Sequence, residues 1–337
     1  MTGVQTCALP ILAYDNTGSV ATGVAVANLA SNAASVPVVI RDDSGATIAT
    51  STMTIPAQGH QSFMLTDPQL GYAAASGKRG TIEFDTPPNG QISVLGLRAN
   101  GTALTTLPVL ANVGTGGGSI AHVTYNGGFT STIYVVNSGS TAADFTLSFF
   151  DEAGNPLSVP LNLPQSGVTA TSASVTRQLA AGATLVIHTQ SQDSLPPALG
   201  SAQLTSNGNV SGFEIFRWTT FGQEASVPLE TRSPASFNLI FDNTNALTTG
   251  VAVANSSANP VNITARIYDD TGAQLQSVPI TLGARGHQSF LLPSAYPVTA
   301  NKRGMVEFAI PTGSGISVIG LRAKADGTLT TIPVLVK

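Results

Sequence analysis

Two histidines occupy identical surroundings in this sequence, where Gly-His-Gln-Ser-Phe places His60 and His287 among the same neighbours. A repeated histidine suggests a metal ligand or an acid–base group, because its neutral ring binds metals and its charge changes near neutral pH. A metal site needs several converging ligands, and no His, Cys or acidic pair recurs at ligand spacing nearby. His122 and His188 share no pattern either. We therefore predict no metal site and expect each ring to pack or hydrogen-bond locally.

Three acidic pairs raise the question of calcium binding: Asp42-Asp43, Asp151-Glu152 and Asp269-Asp270. A calcium site uses about six to eight oxygen ligands, and the Asp-x-Asp-x-Asp-Gly spacing of a calcium loop is absent. Each pair instead lies two residues before a glycine. Aspartates that accept backbone N–H bonds in tight turns explain this pattern more simply, and we predict that role.

Signatures of catalysis are missing from the sequence. It contains no Gly-x-Ser-x-Gly elbow, no recognisable Ser/His/Asp grouping, and no glycine pattern of a nucleotide-binding loop. We therefore predict that the chain is not an enzyme, has no catalytic residues and requires no cofactor.

Three arginines follow apolar strands at what the sequence indicates is one repeated position: Arg98, Arg217 and Arg322. A shared position in a duplicated fold favours a structural role, such as pairing with an acid or bonding to loop carbonyls. Glu83 and Glu307 recur in a preceding strand of two copies, but the third copy has a glutamine there. A Glu–Arg pair of that kind is therefore not expected to be general.

Four aromatic residues form the candidate binding site. Trp218, the only tryptophan, is followed by Phe221, and Tyr125 and Phe129 lie near the first strands of the same copy. Exposed aromatic rings on a β-sandwich stack on sugar rings, because both present flat apolar faces. The alternative is that these rings pack beneath the loops of a larger module.

An internal repeat organises the whole sequence. Residues 15–65 match residues 242–292 at 24 of 51 positions without a gap. A diverged copy lies between them, with Ser-Thr-Ile-Tyr-Val-Val-Asn ending at Asn137 where the other copies have Thr-Gly-Val-Ala-Val-Ala-Asn. The order is therefore A–B–A, with the central copy as the outlier.

Within each copy apolar residues alternate with polar ones, as Phe145, Leu147 and Phe149 do, which is typical of half-buried strands. Glycines such as Gly45 and Gly154 predict left-handed turn positions. A change of phase predicts a β-bulge near residues 50–51 and 276–277. A turn of helix is expected within residues 68–78 of the first copy only.

These features predict an all-β chain of three tandem immunoglobulin- or fibronectin-like β-sandwich modules. We place module A1 at residues 12–113, a flexible Gly-rich linker at 114–119, module B at 120–232 and module A2 at 233–337. Residues 1–11 resemble a translated sequencing adapter, so we interpret them as an artefact and expect part of a longer protein to be missing before them.

Composition narrows the function further. Charged residues make up 9% of the chain and the net charge is −4, so no basic surface for nucleic acid is expected. No apolar run is long enough for a membrane helix. Outside the adapter-like start there is no cysteine, which excludes disulfides and thiolate metal sites there.

Thr-Gly-Val-Ala-Val-Ala-Asn, Gly-His-Gln-Ser-Phe and Ile-Ser-Val-Leu/Ile-Gly-Leu-Arg resemble an uncharacterised tandem β-sandwich repeat of large exported proteins of soil bacteria. The resemblance covers nearly all of the chain after Leu12. It implies extracellular or cell-surface modules of bacterial origin, and it implies neither an enzyme activity nor a defined ligand site.

The expected function is a structural or adhesive array, a stalk or scaffold of monomeric modules on a secreted or surface protein. The alternative is a carbohydrate-binding accessory region of an exported hydrolase, in which B binds sugar. The expected partners are accordingly a polysaccharide or another cell-surface protein.

Overall fold

The computed structural model describes residues 9–88, 90–110 and 116–337, which form an all-β protein of the β-sandwich type with several sheets. A1 contains two four-stranded sheets, β1-β6-β3-β4 and β5-β2-β7-β8, on either side of one apolar cluster. Its strands are β1 Ile11–Asp15, β2 Val20–Asn28, β3 Ala34–Asp42, β4 Thr47–Ile55, β5 His60–Met64, β6 Arg79–Phe84, β7 Ile92–Asn100 and β8 Ala103–Leu107.

The strands of B join into one ten-stranded sheet in the order β13-β12-β15-β10-β17-β18-β9-β16-β11-β14. The two halves meet at β18, which pairs first with β17 and then, through Leu229 and Glu230, with β9. The strands are β9 Gly118–Tyr125, β10 Phe129–Asn137, β11 Ala143–Asp151, β12 Val159–Leu163, β13 Val168–Ser172, β14 Ser174–Leu179, β15 Thr184–Thr189, β16 Ala198–Ser206, β17 Val210–Trp218 and β18 Gln223–Glu230.

A2 repeats the arrangement of A1, with sheets β22-β21-β24-β19-β27 and β23-β20-β25-β26. The strands are β19 Ser236–Asp242, β20 Leu247–Asn255, β21 Val261–Asp269, β22 Gln274–Leu282, β23 His287–Leu291, β24 Arg303–Ala309, β25 Ile316–Lys324, β26 Leu329–Ile332 and β27 Val334–Val336. Short helices occur in both A copies, so the expectation of a helix in the first only is wrong. They are the 3₁₀ turns Pro68–Leu70, Ala73–Ala75 and Pro297–Thr299 and the α-helix α1 Leu292–Ala295.

Turn chemistry follows the sequence closely. In the hairpin after β3, Asp42 Oδ1 accepts hydrogen bonds from the backbone N–H groups of Ser44 and Ala46. Asp269 does the same in A2 and Asp151 accepts from Asn155, which confirms the predicted capping role. A left-handed glycine completes each turn, at φ 88° for Gly45. The β-bulges are confirmed too, but lie slightly earlier, where Ile48 and Leu275 are skipped in the register.

Strand register shows that the three arginines do not share one position. Thr22 and Ser131 are equivalent, because each hydroxyl bonds the backbone of the preceding strand. Thr22 is paired with Arg98, whereas Ser131 is paired with Phe216. Arg217 therefore lies one residue further along its strand and on its other face, and the predicted equivalence is wrong. Arg98 and Arg322 do correspond, since Arg322 pairs with the Thr22 equivalent, Thr249.

Two predicted boundaries differ from the strands observed. Ile11, assigned to the adapter-like artefact, is the buried first residue of β1 and pairs with Glu83. Residues 1–8 and 111–115 lie outside the described residues, including part of the predicted linker. Gly118 and Ser119, also assigned to that linker, already form the start of β9, which pairs with β16 and β18.

Apolar packing does not stop at the boundaries between A1, B and A2. The cluster of A1 includes five residues of B: Tyr134, Val136, Val186, Phe213 and Ile215. The cluster of B includes three residues of A2: Ala252, Ile319 and Leu329. Burial of apolar surface at about 25 cal/mol per Å² therefore stabilises these boundaries as it stabilises each core.

Candidate functional site: the contacts between A1, B and A2

The boundary between A1 and B contains a buried ion pair. Glu224, in β18, accepts a hydrogen bond from Arg98 Nε of A1 at 2.8 Å and another from Arg217 of B at 2.7 Å. Asn100 Nδ2 of A1 donates to the same carboxylate at 2.6 Å. The Arg98 side chain is 7% exposed and that of Glu224 is 1% exposed. Three donors thus compensate a carboxylate that has left water, which a buried charge requires.

Tyr134 connects this pair to a second carboxylate. Its hydroxyl donates to Asp15 Oδ2 at 3.0 Å and accepts from Arg98 at 3.0 Å. Asp15 is also paired with Arg79, its neighbour across β1 and β6, at 3.0 Å. The tyrosine of B therefore completes a network whose charged partners lie mainly on A1.

Both carboxylates are held in their ionised form. Burial alone would raise the pKa of Asp15, but hydrogen bonds from Thr17 and the charge of Arg79 outweigh it and lower that pKa. Burial likewise acts to raise the pKa of Glu224, and the charge and hydrogen bond of Arg98 reverse the effect. The network is thus an array of fixed charges at neutral pH.

A backbone hydrogen bond joins the segments in the same way at both boundaries. In the A1 hairpin, the carbonyl of Asp43 accepts from Thr184 N–H of B at 3.0 Å. In the B hairpin, the carbonyl of Glu152 accepts from His287 N–H of A2 at 3.0 Å. Thr184 and His287 occupy equivalent places, because each pairs with the residue just before the asparagine that recurs in every copy, Asn137 in B and Asn255 in A2.

The hairpin glycines allow this close approach. A Cβ added to Gly45 would overlap the carbonyl oxygen of Ala181 in B, and one added to Gly154 would overlap that of Ala284 in A2. Each hairpin therefore contacts the backbone of the next segment at a position where no side chain fits.

Two histidines meet at the boundary between B and A2. His122 Nδ1 and His287 Nε2 are 3.2 Å apart, and the hydroxyls of Ser119 and Ser317 are 2.9 Å apart beside them. Burial lowers the pKa of His122 to about 4; burial, with the charge of His122, lowers that of His287 to about 3. Both rings are therefore neutral at pH 7, and the N–H of one ring can donate a hydrogen bond to the unprotonated nitrogen of the other.

An apolar cavity of about 280 Å³ lies beside this pair. Its walls come from both segments, with His122, Phe129 and Phe216 from B and Val251 and Phe290 from A2 among them. The space is a gap in the packing between two sheets rather than a cleft with converging polar groups.

The four aromatic residues proposed for sugar stacking lie partly together. Trp218 and Phe221 contact edge to face with ring centroids 4.5 Å apart, and Phe129 stacks on Trp218 with ring centroids 6.1 Å apart. Tyr125 is buried, and its hydroxyl donates a hydrogen bond to the Ser158 carbonyl. Phe221 is 38% exposed and lies against the backbone of Gly327 in A2. Sugar binding by these residues stays a prediction.

No group of three or more His, Cys, Asp or Glu side chains suited to a metal occurs among the described residues. Within the same residues, no helix is long and apolar enough to cross a membrane.

Neither a protein-family model nor a curated protein matches this chain. Among solved structures, similarity extends to a tetra-tandem repeat in the extending region of a large adhesion protein. That match has 16% identity and a TM-score of 0.17, covering 97% of this chain and 74% of the other.

Sequence reasoning did not find the residues that join the segments. Arg98 stands out in the sequence, but its partner Glu224 is 126 residues away and has no acidic counterpart in the A copies. The available signal was the contrast between copies: B has Tyr134 where A1 and A2 have Ala25 and Ala252. A bulky polar residue replacing alanine on an outward strand face points to a partner outside the strand's own sandwich.

We expect Gly45→Ala to destabilise the chain more than Gly272→Ala. Both glycines have nearly the same φ, 88° and 85°, so both alanines suffer the same left-handed strain of about 1–2 kcal/mol. Only at Gly45 would the methyl group also displace the backbone of B, adding about 1–3 kcal/mol. Urea unfolding of the two variants measures the difference, and equal costs would show that the hairpin does not dock.

The contact between B and A2 should weaken in acid. Neutral, buried histidines have depressed pKa values, so the unfolded chain binds protons first as the pH falls below about 6.5. Stability is then lost by up to about 1.4 kcal/mol per pH unit for each histidine, until the folded-state pKa values near 4 and 3 are passed. The double variant His122→Gln/His287→Gln should show a flatter decline between pH 6.5 and 4.5.

The matched control for that measurement is His60→Gln, which removes the exposed histidine of the same Gly-His-Gln-Ser-Phe motif. An identical pH dependence for the parent chain and the double variant would contradict the assignment of the buried pair.

Proposed function

We propose that this chain is a structural array, a stalk or scaffold, in which three β-sandwich modules dock end to end in one repeated geometry. The observation that carries the proposal is the hairpin contact found at both boundaries, Asp43 to Thr184 and Glu152 to His287. One contact could be incidental, but the same backbone bond at equivalent positions defines a repeating step.

The array is stiffened by desolvated contacts rather than by a linker alone. Separating A1 from B would expose the apolar residues they share and return Arg98 and Glu224 to water without each other. Docked modules of fixed geometry maintain a distance, which is what a stalk requires. The proposal assigns the chain no catalytic activity.

An extracellular or cell-surface setting on a bacterial protein suits this role and forms part of the proposal. The low content of charged residues and the resemblance to repeats of exported proteins support it. A spacer of this kind presents whatever binding or catalytic domain it is joined to at a set distance from the surface.

The test is Glu224→Gln in the full chain. This change removes the carboxylate that pairs with both Arg98 and Arg217 and leaves Arg98 only its longer contact with Asp15, at 4.0 Å. We expect it to cost about 3–5 kcal/mol and to loosen A1 from B. Small-angle X-ray scattering should show a broader, more flexible particle, and urea unfolding should begin earlier.

Glu230→Gln is the matched control, because Glu230 pairs with Arg232 at the surface and such pairs contribute only about 0–1 kcal/mol. If the parent chain already scatters as independently moving modules, or if both variants behave alike, the proposal of a rigid array is wrong.

A further inference from the structure

The outer face of A2 carries the equivalents of the residues through which A1 contacts B. We name this surface the A2 end face and define it by six residues, given with their A1 counterparts: Ile240 (Ala13), Asp242 (Asp15), Asp270 (Asp43), Gly272 (Gly45), Arg303 (Arg79) and Arg322 (Arg98). Strand register fixes these equivalences, since Asp242 pairs with Arg303 as Asp15 pairs with Arg79. The ion pair itself is also repeated, at 2.9 Å in A2 and 3.0 Å in A1.

Residues of A1 that B buries have solvent-exposed equivalents in A2. Ala13 is 1% exposed beneath B, whereas Ile240 is 50% exposed. Arg322 is exposed and has no ion-pair partner among the described residues, whereas Arg98 is buried against Glu224. A Cβ on Gly272 would meet no described atom within 4 Å. A groove of about 680 Å³ runs over this face and is lined by Ile240, Asp242, Gly272 and Arg322, among others.

The charges of the A2 end face define the chemistry that would cover it. In A1 the equivalent charges are satisfied by the hydroxyl of Tyr134 and the carboxylate of Glu224. Both come from B, and both are missing from the A copies. Register places Ala25 and Ala252 at the Tyr134 position, and Leu104 and Leu329 at the Glu224 position.

An A-type module would therefore be a poor partner for the A2 end face. It would bury Arg322 against alanine and leucine, and a buried charge without a partner costs several kcal/mol, about 3–5 in measured cases. Rejection of the wrong partner by an uncompensated charge is a common source of specificity.

We propose that the A2 end face is a docking site for a further B-type module, one that carries tyrosine and glutamate at the positions of Tyr134 and Glu224. This inference rests on the proposed array and adds the rule by which the array is ordered: an A-type end face binds a B-type module. Asp270 accepts the backbone hydrogen bond from that module, as Asp43 does from Thr184.

The opposite end of the chain follows the same rule. A1 leaves exposed the surface that is equivalent to the one through which A2 contacts B. Leu104 is 62% exposed, whereas its equivalent Leu329 is 6% exposed beneath B. This surface carries His60 where A2 has His287, the partner of His122 in B. The A1 surface is thus suited to a B-type module on its own side.

The experiment extends the full chain after Lys337 with a second copy of residues 113–230, which continues the natural A-to-B junction. In a Cys7→Ser background, Ile240→Cys provides a single thiol in the A2 end face, and its rate of reaction with a maleimide is measured. We expect the thiol to react quickly in the 337-residue chain and about ten-fold or more slowly in the extended chain. A matched extension, whose added B carries Tyr134→Ala and Glu224→Leu, should leave the thiol reactive.

Several outcomes would overturn the proposal. Equal protection by both extensions would show that tyrosine and glutamate do not select the partner. A thiol that is protected in the unextended chain, increasingly so with concentration, would show that a second copy covers the face. No protection by the unaltered extension would show that the face does not dock B at all.

The maleimide reactivity of an Ala13→Cys variant shows whether a negative result reflects failure of the proposed array or only of the proposed partner for the A2 end face. Its thiol lies beneath B in the unextended chain, so it should be protected whether or not the A2 end face binds anything. If Ala13→Cys reacts as fast as Ile240→Cys, the proposed array is wrong; if only Ile240→Cys stays reactive, only the partner assignment fails. An extension with residues 113–337 gives the added B its own A2 neighbour, and hydrogen exchange at the added Thr184 reports both folding and docking.

Discussion

The buried ion pair between Arg98 and Glu224 is the interaction on which the relation of A1 to B depends. A charge removed from water is tolerated only where its partner is held in place, and here one partner comes from A1 and the other from B. Tyr134 extends the constraint to Asp15, so the two segments cannot shift relative to each other without breaking the Arg98–Glu224 pair or the hydrogen bonds of Tyr134. A junction of this kind fixes orientation more sharply than apolar packing, which tolerates small displacements.

The second boundary uses the same backbone contact with different side chains. The hairpin of B approaches A2 as the hairpin of A1 approaches B, but a pair of neutral histidines replaces the ion pair. Shape is thus repeated while polar chemistry alternates. A repeat that kept both shape and chemistry constant would dock in any order, whereas alternating chemistry encodes a sequence of modules.

The sequence predicted what the copies share and missed what joins them. Alternating apolar residues, the Asp-capped turns and Gly45 depend on neighbours close in the chain, and the structure confirms them. The bulges occur slightly earlier than predicted because pairing, rather than hydrophobic phase alone, decides which residue is skipped. The joining residues are those that differ between copies, such as Tyr134 and Glu224, and comparing repeats by similarity discards that information. Arg217 was misaligned with Arg98 for the same reason, since Phe-Arg in B resembles Leu-Arg in A1 one residue out of register.

The central claim is that A1, B and A2 form one stiff unit, and a distance across the whole unit tests it most directly. Spin labels at Thr54 in A1 and Ser277 in A2, both exposed and each in a peripheral strand, place B between them. Pulsed electron paramagnetic resonance in the Cys7→Ser background should give a single narrow distance distribution. A broad distribution, of the width expected for modules on flexible linkers, would contradict the account.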